Sequence, residues 1–483
     1  MIVEIWHGVV EFGHAHIVWL RALAWAIFTV GFAQNLISLV QLPFAWRELG
    51  RHSMAEDTES TWQMLISDVT IPMSVVVPAY NAEQTIVANV RSMLFLHYPE
   101  LEIVVVNDGS KDATLDELIA AFSLQRVTRA HELSLEHAPV RGVYKSQQYP
   151  SLIVIDKENG KGKADATNAG INFSRNPLFC VVDADSLLEP EALLRSVRPF
   201  MENPAETVAV GGTIRILNGC TVRAGQVVDT SLPSNFIPLV QSLEYIRSFL
   251  VTRLAWSHWG MLSIISGAFG IFRRDLTLEV GGFSKDSHGE DYDYVVKLHR
   301  HMRDQNRPYS MRYVPEPVCW TEAPETLKVL ATQRKRWQRG ALQVICKNKG
   351  MVFNPRYGRF GLISLPHNLI VDVIGPIAEV TGFILLPLFW AMGVLNTPFI
   401  LAFTAIFIVF GVFFSVSALI LEEAELRRTP NARDLARLGA AAIFENFGYR
   451  QLNSIWRLQG FWQFIRGNHA WGDMPRRKAN SKK

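Results

Sequence analysis

Read for hydrophobic and polar positions, the chain passes through three regimes. Ala22 to Trp46 carries no charged side chain, and from Val373 to Leu421 Glu379 is the only one. An apolar stretch of about 20 residues is long enough to cross hydrocarbon as a helix, so both ends of the chain predict membrane helices. Between them the pattern shortens. Ser74-Val-Val-Val-Pro78, Glu102-Ile-Val-Val-Val-Asn107, Ser151-Leu-Ile-Val-Ile-Asp156 and Leu178-Phe-Cys-Val-Val-Asp183 are brief apolar runs, each stopping at a polar or turn residue. Unbroken runs of this kind suit parallel strands buried on both faces. Helical patterns near 82–96, 112–122 and 163–175 separate them, and the alternation predicts an open α/β sheet. We divide the chain into a membrane helix and linker (1–71), an α/β domain (72–346), and a helical membrane region with a basic tail (347–483).

Charge refines the membrane regions. The net charge is only +3, but its distribution is uneven. Glu4 and Glu11 precede the first apolar stretch, where a signal peptide would carry basic residues, so a retained helix is expected. Two crossings follow near 375–394 and 398–421, joined by Leu395-Asn-Thr-Pro398. Residues 359–374 mix Phe360, Leu362, Ile363 and Leu365 with Arg359, His367 and Asp372 around Pro366, which predicts an interfacial helix. Glu379 faces either a protein interior or the interface. Residues 438–466 are ambiguous: Glu445, Arg450, Arg457 and Arg466 oppose a simple span, whereas Trp456, Trp462 and Trp471 suit an interface. Arg427, Arg428, Arg433, Arg437, Arg476-Arg-Lys478 and Lys482-Lys483 assign the neighbouring segments to the inside. Three spans with the N-terminus outside result, in the cell (inner or plasma) membrane, with the α/β domain cytosolic. Cys180, Cys220, Cys319 and Cys346 show no metal-ligand spacing and are expected as reduced thiols.

In open α/β sheets ligands gather at the C-terminal ends of the strands. The residues there are Pro78-Ala-Tyr-Asn81, Asp108-Gly-Ser110, Asn159-Gly-Lys-Gly-Lys163 and Asp183-Ala-Asp185. Carboxylates at a strand end can hold a hard cation through oxygen, and magnesium or manganese bridges to phosphates. Lys161 and Lys163 among glycines can bind phosphate. Each element alone is common in turns; together they fall on one sheet edge.

With Ser266-Gly-Ala268, Gly289-Glu-Asp291 and Gln333-Arg-Lys-Arg-Trp337, the series Val77-Pro-Ala-Tyr-Asn81, Val106-Asn-Asp-Gly-Ser110, Gly162-Lys-Ala-Asp-Ala-Thr-Asn168 and Val182-Asp-Ala-Asp185 resembles the ordered motifs of family 2 glycosyltransferases with the GT-A fold. The full set resembles the processive membrane subgroup that contains cellulose, hyaluronan and poly-N-acetylglucosamine synthases. The resemblance implies a UDP-sugar donor, Mg2+ or Mn2+, and inverting transfer to the end of a β-linked polysaccharide; a single addition to a lipid-linked acceptor is the alternative, and a catalytically inert scaffold a third reading. It implies that Asp108 and Asp183 contact the nucleotide, with Tyr80 and Lys163 beside them, and that Asp185 holds the metal. Asp291, next to Glu290, would be the general base, and Ser266 and Gly267 would meet the acceptor. Gln333, Arg336 and Trp337 are spaced i, i+3 and i+4 and share a helix face; Arg336 offers a planar fork to a diphosphate and Trp337 a platform for a sugar. Arg334 and Lys335 are expected to face acidic lipid or solvent. Three spans are fewer than the well-known members have, so export would call for a homo-oligomer or an export partner. No nucleic-acid partner is expected.

Overall fold

The computed structural model describes residues 11, 15–55, 58–67, 69–131, 133–426 and 431–467. Glu4, Arg427, Arg428, Trp471 and the basic tail of Arg476, Arg477, Lys478, Lys482 and Lys483 lie outside the described residues.

The apolar runs become strands β1 (Met73–Ala79), β2 (Leu101–Asp108), β3 (Leu124–Val127), β4 (Val140–Ser146), β5 (Leu152–Lys157) and β6 (Leu178–Val182). They continue through β7 (Leu187–Leu188) and β8 (Thr207–Ile216), a small hairpin of β9 (Thr221–Arg223) and β10 (Gln226–Asp229), then β11 (Phe269–Arg273) and β12 (Ser310–Thr321). Ten of them form one sheet in the order β3-β4-β5-β2-β1-β6-β11-β8-β12-β7. The centre, β5-β2-β1-β6, is parallel, and β11 runs antiparallel between β6 and β8. Val75, Val76 and Val77 are all fully buried, as a strand covered on both faces requires. The register sets Ala79 beside Asn107, so the ends of β1 and β2 open at one level.

Helices complete the architecture. Helix α1 (Ile17–Ala55) contains the first apolar stretch and runs on into the segment expected as linker, because Ala45 and Leu49 are buried in the main core of the α/β domain. Helices α2 (Ile86–Leu94) and α3 (Lys163–Phe173) cover the sheet. A continuous helix, α4 (236–258), is π-helical over Ile246–Arg253. Helices α5 (Glu290–Asp304) and α6 (Leu327–Lys347) flank the far side of the site.

The membrane region corrects one expectation. Residues 359–374 are no separate interfacial helix; they open the continuous helix α7 (Phe360–Ala391), which with α1 and α8 (Thr397–Leu426) makes three helices, among the described residues, long and apolar enough to cross a membrane. Asp372, which suggested an interface, reaches protein instead, as do its neighbours Ser364 and Asn368. Ser364 Oγ donates to Met261 O (3.0 Å), Asn368 Nδ2 to Tyr292 Oη (2.9 Å), and Asp372 accepts from Arg457 (3.2 Å). The ambiguous stretch forms a hairpin of α9 (Ala432–Phe444) and α10 (Tyr449–Ile465). Glu379 takes the interior option, bonded to Arg450 and Ser454 of α10.

Candidate active site

The loops at the open sheet edge are tied to one another. After β1, Asn81 N donates to Ser110 Oγ (3.0 Å) and Ala82 N to Thr114 Oγ1 (2.8 Å), while Lys111 N returns a bond to Asn81 Oδ1 (2.8 Å). Tyr80 stands exposed at this junction. Gly109 has φ +62, and a Cβ there would lie 2.7 Å from Asn159 N, so only glycine lets the 108–110 turn approach the 159–163 loop. From α2, Thr85 and Asn89 donate to the backbone of Ala184 and Asp183 (both 3.2 Å) and fix the Asp183-Ala-Asp185 turn beyond β6. Asp183 and Asp185 are both partly exposed at the edge. Among the described residues no three His, Cys, Asp or Glu side chains gather as a metal cluster. The Asp183 and Asp185 pair nonetheless fits Mg2+ or Mn2+, which are usually held by one or two carboxylates and completed by substrate phosphates.

Lys163 joins this edge to the rest. It opens α3, and its Nζ lies 2.5 Å from Asp183 Oδ1 and 2.7 Å from Gly267 O. Burial works against its charge, but Asp183, Glu290 and Asp291 outweigh that and hold the ammonium above its ordinary pKa. Across from it, Asp291 Oδ2 accepts from Gly267 N (3.1 Å) and Oδ1 from Tyr292 N (2.8 Å). Asp291 also sits in the first turn of α5, where the helix dipole favours a carboxylate. Glu290 differs: burial, then the charge of Asp291, pushes its pKa up to about 7 against the pull of Lys163 and Arg336. A small cavity of about 10 Å3, room for about one water, lies behind the two acids between Thr167, Ser266 and Phe283.

Helix α6 closes the site from the opposite side. A Cβ on Gly340 would lie 2.9 Å from Gly289 N, so the helix backbone rests directly on the turn before Glu290. Arg336 is near enough to lower the pKa of Glu290. Trp337 is 43% exposed and lies under the Arg334 guanidinium, 4.6 Å from ring centroid to Cζ. Gln333 Oε1 is buried with no hydrogen-bond partner. Residues from five separate motifs therefore converge: Asp183, Lys163, Gly267, the Glu290–Asp291 pair and Arg336.

The family model described as Glycosyltransferase like family 2 matches residues 72–340, more than half of the chain. The chain belongs to glycosyltransferase family 2. Poly-beta-1,6-N-acetyl-D-glucosamine synthase of Staphylococcus epidermidis is 28% identical over 276 residues, covering 57% of this chain and 56% of that one. The Staphylococcus aureus (strain COL) protein of the same name is 28% identical over 295 residues, covering 61% and 60%. The match thus spans about three fifths of these relatives' length. Among solved structures, a mannosyltransferase from Pyrobaculum calidifontis in complex with GDP-Man and Mn2+ aligns with a TM-score of 0.53 at 17% identity, covering 93% of this chain and 100% of that one. The fold is accordingly the mixed, mostly parallel GT-A sheet with flanking helices, joined to three long apolar helices.

Two features of this glycosyltransferase differ from the sequence expectations. Arg334 does not face lipid or solvent: it is buried, ion-paired with Glu244 of α4, and Tyr449 Oη of α10 donates to the same carboxylate (3.1 Å). Its guanidinium stacks on Trp337 of the motif, and α4 and α10 cover it. Lys335 is partly buried, its backbone beneath Gly460 of α10. The second feature is Lys157, which the motif reading passed over. It is fully buried at the end of β5 and ion-paired with both Asp108 and Asp165, the latter at 2.6 Å. Asp108, itself buried, also accepts from Gly160 N (3.0 Å). A lysine directly after Asp156 at the end of a buried strand was the available signal, since a buried ammonium requires carboxylate partners.

Proposed function

We propose that this enzyme transfers a sugar from a UDP-sugar, by inverting displacement, to the end of a growing β-linked polysaccharide. In this reading residues 72–346 form the catalytic unit on the cytosolic side, with membrane segments in 1–71 and 347–483. The observation that carries it is Lys163: one ammonium touches Asp183 and Gly267 and faces Glu290 and Asp291, so donor-side and acceptor-side residues share one centre.

Each group has a task in this reading. Asp108, Asp183 and Tyr80 grip the nucleotide at the sheet edge. Asp185, with Asp183 beside it, would hold Mg2+ or Mn2+, which would offset the charge of the diphosphate. Lys163 and Arg336 place fixed cations where the leaving diphosphate gains charge, and Gln333 accompanies Arg336. Gly267 and Ser266 let the acceptor end approach Asp291. Its carboxylate takes the proton of the acceptor hydroxyl as that oxygen attacks the anomeric carbon and the bond to the diphosphate breaks. Trp337 provides the flat surface for the acceptor sugar. The relatives' product makes N-acetylglucosamine the first sugar to test.

Membranes containing the enzyme, incubated with labelled UDP-N-acetylglucosamine and then a panel of UDP-sugars, should release UDP and form polymer. Asp291→Asn is expected to lower transfer about 100- to 10,000-fold; undiminished polymer would remove Asp291 as base. Product size decides the acceptor: long chains support polymer synthesis, and a single glycolipid would replace this reading with transfer to a lipid.

A further inference from the structure

We propose that the α9–α10 hairpin is set into the membrane leaflet next to the catalytic domain, its tip among lipid acyl chains, although neither helix is a span. The first argument is depth. Arg21 Nε donates to Val394 O (3.0 Å), which marks the end of the helical bundle far from the sheet. Counting about 1.5 Å per residue from the turn there, Glu379 in α7 and Gly411 in α8 both lie about 20 Å inward. The hydrocarbon core is about 30 Å thick, so both sit about 10 Å short of its inner boundary. The hairpin tip meets the bundle at that level. Arg450 Nη2 lies 3.4 Å from Glu379 Oε1, and a Cβ on Gly411 would fall 2.7 Å from Asn446 Oδ1 and 3.4 Å from Arg450 Nη1.

The second argument is polarity. Glu445, Asn446, Arg450, Ser454 and Arg457 point into the protein, where Glu445 accepts from Ser415 (3.0 Å) and Arg457 Nε donates to Gln338 (2.9 Å). Outward stand Ile443, Phe444 and Phe447, the two phenylalanines 60% and 61% exposed, followed along α10 by Leu452 and Ile455. A helix on an aqueous surface turns its charges out; from its tip along α10 this hairpin turns Glu445, Arg450 and Arg457 in, as intramembrane ionisable groups do, and leaves exposed Arg433 at the far end of α9. Its apolar face is continuous with the lipid-facing helices α7 and α8, which commits the occupant to acyl chains in preference to a second protein. The same residues explain why a hydropathy scan passes over the segment: inward charges interrupt the outward stripe.

The test uses the full chain in phosphatidylcholine–phosphatidylglycerol liposomes. A phospholipid carrying a diazirine on its acyl chain, photolysed with the wild-type protein, is expected to label peptides spanning 443–455 as well as the long helices. In a second measurement Phe447→Cys, with Cys220 and Cys346 replaced by serine, carries a nitroxide. Oxygen is expected to collide with a label at position 447 several-fold more than a nickel chelate does, with the reverse at Leu133→Cys, a site 78% exposed on the catalytic domain. Nickel access at 447 equal to that at 133, or an unlabelled 443–455 peptide, would overturn the proposal.

Discussion

At the residue scale the site is governed by which carboxylate holds its charge. Glu290 has its pKa raised to about 7 by burial and by Asp291. A carboxyl raised in the folded state binds a proton that the unfolded chain has already lost, so its contribution to stability falls as pH rises from about 4.5 to about 7. Glu290→Gln removes that term. The variant's thermal midpoint is therefore expected to decline less than that of the wild type between pH 5 and pH 8; parallel curves would contradict the assignment. Arg334 makes a second case. Its replacement by alanine uncovers the Trp337 ring and leaves the partly buried Glu244 with Tyr449 alone. Breaking one side of a buried ion pair costs about 3–5 kcal/mol. We expect Arg334→Ala to lower stability and to abolish polymer formation, and Lys335→Ala to have a mild effect, both read from melting and labelled product. Equal, mild losses would return Arg334 to the surface role that the sequence suggested.

At the scale of elements, Gly340 connects two motifs that lie far apart in the chain. The α6 backbone touches the turn at His288–Gly289, and no side chain fits between them. Gly340→Val should push α6 off the turn before α5 while the sheet remains folded. Donor binding should then change little while transfer falls about tenfold or more, since misplacement of about 1 Å can cost 100-fold; an unaffected rate would show that the contact is slack. Elements also explain what was legible in the sequence. The central strands and the motif ends could be read because a parallel strand buried on both faces is apolar throughout and stops where the site begins. Residues 359–374 read as an interfacial helix because Asp372 looks solvated until Arg457, distant in sequence, is brought against it. Lys157 escaped for the same reason: its partners Asp108 and Asp165 come from two other elements.

At the scale of the whole molecule, the catalytic unit and the membrane helices are built as one body. Ala45 and Leu49 of α1 and Leu421 of α8 lie in the same core as β1 and β6. Arg215, near the end of β8, is ion-paired with Glu422 of α8. Arg247 of α4 bonds Ser415 of α8 and grips Glu445 of the hairpin through both its terminal nitrogens, one of them at 3.0 Å. Ser415 and Glu445 are buried, so a loss of Arg247 cannot be made good by water. Arg247→Met should therefore destabilise the protein in nanodiscs by about 3–5 kcal/mol, and Glu445→Gln by a comparable amount. Because each change strands the other's partner, the double variant should be less destabilised than the sum of the two, with a coupling of about 1–3 kcal/mol. Additive losses would mean that the pair does not join the two halves. Coupled losses, with melting of the catalytic unit and the long apolar helices in a single transition, would mean that α4 ties the α9–α10 hairpin energetically to the element that supplies Glu244 to Arg334.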